Sequence, residues 1–292
     1  MTSGRTTTQE LADSIPTIIA SARIVREYEG SIQRLVDKET LGEGTGLTWN
    51  EVSFAKLDAF RVSETTELNN PQQLSDSLFS VTPNVTGMHT VITDKVYKRL
   101  SKNAIAKIGP LAQAAIERLK SQDGLTMLDG ATTTFPGAGS TLTTGHISAA
   151  AERVRFGGGN EPAKSPVRGV LHAYQFRDLF DETTAGVGTY PMPEGETARI
   201  FREGFKGQID GCMLFEDNLI TIDASTDVKG GVFAQEAIVL VQGRAPRSIP
   251  IRNEKLGGGA TEMIFYDEYA YGERSSGNWL VEIYSDATAP TS

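Results

Sequence analysis

Acid/base chemistry needs two carboxylates, or a carboxylate and a histidine, brought to bear on one substrate. Two places in the 292-residue sequence offer neighbouring carboxylates: Glu64 and Glu67, beside Arg61 in a polar stretch, and Asp267 with Glu268. The first pair sits in a loop-like region with no histidine partner, which reads as a solvated tip or as one side of an ion pair with another subunit. The second pair are adjacent residues of a strand-like run, so their side chains point to opposite faces and cannot converge. The three histidines include no two at metal-binding spacing, and the single cysteine, Cys212, excludes both an intramolecular disulfide framework and a cysteine metal cage. Cys212 reads as a small buried strand residue. His146 reads as a helix-terminal or surface residue, and His172 stands alone. Gly137 to Ser140 looks like a phosphate loop but lacks the Gly-Lys-Ser/Thr ending, so nucleotide binding is rejected. No catalytic residue, cofactor site or metal site is expected.

Charged residues on elongated elements remain, and the basic group Lys95, Arg99 and Lys102 reads as a solvated face, or as a face that meets acidic groups on a neighbour or phosphate. Lys95, Arg99 and Lys102 share one face of the most strongly periodic stretch, Thr93 to Gly124, where apolar residues recur every three or four positions from Val96 to Leu119. The spacing predicts one long amphipathic helix, capped by Thr93, ended by Gly124 and bent near Pro110. At 1.5 Å per residue it would run roughly 45 Å, which suits a flattened molecule better than a compact one.

With 39% hydrophobic and 22% charged residues the composition is that of a soluble globular protein. The polar start MTSGRTTTQE has no secretory layout and the apolar runs are too short to span a membrane, so the chain is expected to stay in the cytoplasm of the cell that makes it. A net charge of -9 disfavours tight, sequence-independent binding to nucleic acid. Ser14 to Leu41 carries a second helical pattern, broken at Gly30, and reads as an arm that must bury its stripe on the body or on a neighbour. Leu47 to Phe60 and Leu78 to Val91 read as the two strands of a long hairpin, and an isolated two-stranded hairpin is marginal in water, so this one is expected to lie on another chain. Gly145 to Arg155 predicts a short helix, Ser165 to Phe180 a strand running into a helix, and Ile200 to Ile222 strands. Gly230 to Val241 predicts a glycine turn leading into an apolar helix, and Thr261 to Ile283 two strands around Gly272.

The order of these parts, with Leu171-His172-Ala173-Tyr174, Gly207 to Leu219, Gly231 to Leu240 and Tyr271-Gly272, resembles the major capsid protein of tailed bacteriophages over most of the chain. The resemblance implies an α+β shell-forming fold. Its parts would be an N-terminal arm (residues 1–46), an extended loop (47–91), a peripheral domain with a long spine helix (92–164 and 249–292) and an axial domain (165–248). It further implies pentamers and hexamers of an icosahedral shell enclosing double-stranded DNA that is contacted weakly, a separate scaffolding protein, a portal and a decoration protein. The location would be the virion capsid, assembled in the host bacterial cytoplasm. Arg61, Glu64, Glu67, Lys95, Arg99 and Lys102 become candidate subunit-interface residues. Some relatives cross-link a hairpin lysine to a neighbour's asparagine; Lys56 stands on the first strand instead of the tip, which argues against that chemistry here. An encapsulin-like nanocompartment shell shares the fold, and an acid/base enzyme is the alternative from another class.

Overall fold

The computed structural model describes residues 5–6, 28, 30–59, 61–62, 64, 71–99, 108–159, 161–184, 207–256 and 258–290. Two sheets and the helices packed on them account for most of these. The five-stranded sheet runs β1 (Arg5–Thr6), β5 (Asn84–Thr93), β12 (Ala260–Glu273), β11 (Ile238–Asn253), β2 (Asp37–Thr40), with β1 and β2 as short parallel edges. The six-stranded sheet runs β6 (Thr134–Pro136), β13 (Leu280–Asp286), β10 (Asp227–Ala234), β7 (Val167–Leu171), β9 (Cys212–Glu216), β8 (Gln208–Ile209). Among the described residues, β3 (Trp49–Phe54) and β4 (Asp76–Val81) pair only with each other. The mixture of segregated helices and sheets is the α+β class the sequence implies.

The helical reading of residues 93–124 holds in its second half and is corrected at its end. Helix α2 (Asp94–Arg99) starts directly after β5, and α3 (Ile108–Thr126) continues into a 3₁₀ turn, Met127–Gly130; residues 100–107 lie outside the described residues. Gly124 therefore does not end the helix. A Cβ there would come within 2.9 Å of both Ile32 and Tyr271, so the glycine lets α3 approach the arm and the sheet closely.

Four further expectations are corrected. Of the arm's helical pattern, residues 14–27 and 29 lie outside the described residues; in the described part the helix is α1 (Ile32–Leu35), and residues 37–40 form β2 against Val239–Gln242 of β11. The run from Leu78 to Val91 is two strands broken at Thr82-Pro83: β4 stays in the hairpin, whereas β5 pairs along its length with β12. Gly230 to Val241 is no helix but the end of β10, a 3₁₀ turn and the start of β11. A strand buried on both faces shows a continuous apolar run instead of an alternation, and periodicity alone cannot separate it from a helix. Gly272 likewise lies inside β12, and the chain turns at residues 274–279 into β13, which pairs with β10 and β6 in the other sheet, so the last two strands are not a hairpin.

The main core forms on the six-stranded sheet. Phe233, Val232, Leu171, Ile283 and Leu280 are fully or almost fully buried, together with Ile147, Ala150, Ala151 and Val154 of α4 (Thr144–Phe156) and Leu179 of α5 (Ala173–Thr184). Helix α4 matches its expected span. Its start is a capping box in which His146 Nδ1 accepts from the Thr143 backbone N–H, and its end is Gly157 at φ 59°. Buried Gln175 of α5 is fully engaged: its Oε1 accepts from His172 N at 3.0 Å and its Nε2 donates to Ser285 Oγ at 2.8 Å. Gly230 faces this glutamine, with a Cβ position only 2.5 Å from the Val170 carbonyl oxygen. Gly230→Ala is accordingly expected to lower stability by about 2–4 kcal/mol, read as a shift in denaturation midpoint at unchanged slope, because backbone cannot move aside as a side chain can.

Asp178 on α5 carries a second testable consequence. Burial, with Asp181 and Asp286 adding like charge, pushes its pKa up to about 6, against a hydrogen bond from the Leu142 backbone. Because the folded-state value lies above the unfolded one, this group's contribution to stability is greatest at low pH and falls as pH rises from about 4 to 6, where the unfolded chain has already released this proton. Asp178→Asn should remove that slope and stabilise the protein above pH 7 by about 1–2 kcal/mol, a figure discounted for partial exposure. Denaturation at pH 4, 6 and 8 checks it.

Candidate subunit-assembly surfaces

The hairpin leaves the body from a small satellite core. Val81, Val239 and Val241 are buried with Leu41, Trp49, Phe79 and Ala270 packed against them, separate from the main core. Gly272 makes the docking tight, since a Cβ there would sit 2.3 Å from Val81 and 2.7 Å from Phe79. Trp49 meets Phe79 edge to face at 6.2 Å.

Beyond this base the two strands continue alone. Trp49↔Val81, Glu51↔Phe79 and Ser53↔Ser77 share one face; Val52↔Leu78 and Phe54↔Asp76 share the other. The first face begins on the body and ends in the Ser53–Ser77 hydroxyl contact at 2.7 Å. The second places Val52, Leu78 and Phe54 side by side with 50%, 66% and 72% of their surface exposed. The pairing persists past the strands, through Ala55 N to Ser75 O at 2.9 Å and Asp58 N to Gln72 Oε1 at 2.8 Å, and the same stretch exposes Leu57, Val62 and Leu74. Scattered exposed apolar residues are ordinary, but a contiguous row on a projecting ribbon marks an interaction surface.

Of the charged residues singled out from sequence, Arg61 and Glu64 are exposed near the far end of this hairpin, and Lys95 is exposed on α2, where Arg99 also lies. Glu67 and Lys102 lie outside the described residues. Lys56 is exposed on the continuation of β3. The acid pair behaves as strand neighbours should. Asp267 turns inward to Lys120 Nζ at 3.2 Å, while Glu268 Oε2 lies 3.5 Å from Arg244 on the outside. Cys212 is buried in β9 and burial pushes its thiol up to about 12, which leaves it inert as a nucleophile at neutral pH. Burial holds His172 below the usual histidine range; its Nδ1 accepts from Tyr174 N at 3.2 Å and its ring meets Tyr174 edge to face.

Sequence reasoning missed Arg274. It stands just after β12, 14% exposed, with Nε 2.6 Å from Glu51 Oε2 and Nη1 2.9 Å from Asp37 Oδ2 and 3.0 Å from the Glu236 carbonyl oxygen. Its partners on β2 and β3 are more than 200 residues away in sequence, and no local signal announces them.

No protein-family model and no curated protein sequence matches the chain. Solved structures do. The Mycobacterium phage Che8 structure superposes with a TM-score of 0.72 at 14% identity, covering 92% of this chain and 96% of that one. The Cyanophage Pam1 capsid asymmetric unit gives 0.71 at 11% identity over 99% and 100%, and the capsid of Ralstonia phage GP4 gives 0.71 at 12% over 95% and 97%. The fold is that of phage capsid subunits. Capsid-fold likeness extends over nearly the whole of each chain, so the arm base, hairpin, spine helix and both sheets belong to one shared architecture. No helix among the described residues is long and apolar enough to cross a membrane.

Proposed function

We propose that this chain is the major capsid protein of a tailed bacteriophage, a structural protein that assembles as pentamers and hexamers into an icosahedral shell around double-stranded DNA. The observation that carries the reading is the outward apolar row Val52, Phe54 and Leu78 on a projecting hairpin of a capsid-fold subunit. A lone chain gains nothing from displaying it, whereas a neighbouring copy can bury it, and repetition around a closed shell turns many weak contacts into a durable one. Arg61, Glu64, Glu67, Lys95, Arg99 and Lys102 are the proposed charged contacts between copies. The proposed four-part division is an N-terminal arm (residues 1–46), an extended loop (47–91), a peripheral domain (92–164 and 249–292) and an axial domain (165–248). The virion capsid, assembled in the host bacterial cytoplasm, is the proposed location. A separate scaffolding protein, a portal and a decoration protein are the expected partners.

The acidic balance fits a container that touches its genome weakly, since strong Lys/Arg contacts would oppose packing and release. Particles purified from producing cells are expected to contain double-stranded DNA, measured by nuclease-protected nucleic acid per mass of protein. Particles filled with a second protein and free of nucleic acid would replace this reading by the encapsulin-like one.

A further inference from the structure

We infer that Arg274 is a positioning residue that sets the angle at which the hairpin leaves the body. Three elements that share no common ladder meet at this side chain. β3 pairs only with β4, β2 lies on the edge of the five-stranded sheet beside β11, and Arg274 itself begins the connection from β12 into the other sheet. The guanidinium holds Glu51 of β3 through Nε and Asp37 of β2 through Nη1, so its rigid plane fixes two carboxylates in direction as well as distance. The Arg274 backbone N–H donates to the Ala237 carbonyl at 2.8 Å, and the side chain returns to the Glu236 carbonyl, which anchors the fork to the turn before β11. The guanidinium carbon lies 5.8 Å from the Trp49 ring centre, adding contact to the first residue of β3. Apart from this fork, among the described residues, the hairpin base packs on the body through Trp49, Phe79 and Val81, and such apolar packing resists tilting less than a planar hydrogen-bonded fork does. In a shell built from one chain, that tilt decides where the apolar row meets its neighbour. This last step rests on the shell reading; the latch itself does not.

The test uses the full chain with spin labels at Ala55→Cys on the hairpin and Ser248→Cys on β11, both exposed, diluted with unlabelled chain so that only intramolecular distances report. Native Cys212 is buried and stays unlabelled. The wild-type pair is expected to give one narrow distance peak. Arg274→Lys, which keeps the charge but not the fork, and the double variant Asp37→Asn with Glu51→Gln should each lose that peak while the denaturation midpoint of the body is retained. In assembly, Arg274→Lys should give particles of mixed diameter and open sheets. A narrow peak at the wild-type distance in both variants overturns the latch, as does a broadened peak that appears only together with global unfolding. Particles of uniform wild-type diameter from Arg274→Lys overturn its role in assembly. Failure of the wild-type chain to form particles both with and without its neighbouring reading frames overturns the shell reading, and the distance peaks still decide the latch.

Discussion

Lys120→Ala is expected to destabilise the protein by about 3–5 kcal/mol, because it strands a buried carboxylate. Lys120 and Asp267 are 6% and 3% exposed, and their 3.2 Å contact joins the underside of α3 to β12. The ammonium also lies 4.8 Å from the centre of the Tyr269 ring, and Asp267 accepts from the Glu268 backbone N–H at 2.9 Å. Those remaining contacts cannot replace a full opposite charge. Two charges removed together behave differently, since neither is then left alone in the interior: Lys120→Met with Asp267→Leu should recover most of the loss, and such apolar replacements of buried pairs are often neutral or stabilising. Equilibrium denaturation of the two single variants and the double variant measures the coupling directly. Single variants as stable as the wild type would mean that water reaches this joint.

The second large effect concerns assembly and leaves folding alone. Phe54→Asp with Leu78→Asp should abolish particle formation while changing subunit stability by no more than about 0.5 kcal/mol, the usual range for exposed positions. Both side chains are more than half exposed, and neither belongs to the satellite core at the hairpin base. Each aspartate would have to be buried without a partner when copies meet, a cost of a few kcal/mol per contact that recurs at every subunit of a shell. Sedimentation of the variant beside the wild type, with denaturation midpoints for both, separates lost assembly from lost folding. Particles of normal yield would place the interface elsewhere.

Much of the architecture is legible in the sequence, and the failures have physical reasons. The order of parts, more than any single motif, carried the resemblance to capsid proteins, and a fold shared at 11–14% identity is preserved through pattern and spacing. Helix α4 was readable because its glycines and periodicity agree. Residues 230–241 were misread because burial on both faces erased the alternation that distinguishes strand from helix. Gly124 reads as a helix end in the sequence because close packing and chain reversal both call for glycine, and only the neighbours Ile32 and Tyr271 tell them apart. The outward row of the hairpin follows from strand alternation once the register is known. The Arg274 fork and the Lys120–Asp267 pair do not, since each joins residues 147 or more positions apart without a sequence signature.

Electron microscopy combined with sedimentation of the purified full chain, expressed with and without its neighbouring reading frames, tests the central claim most directly. Closed shells, or the tubes and sheets of an unguided shell protein, are the predicted result. A stable monomer under both conditions, with the Val52, Phe54 and Leu78 row still exposed, would contradict it.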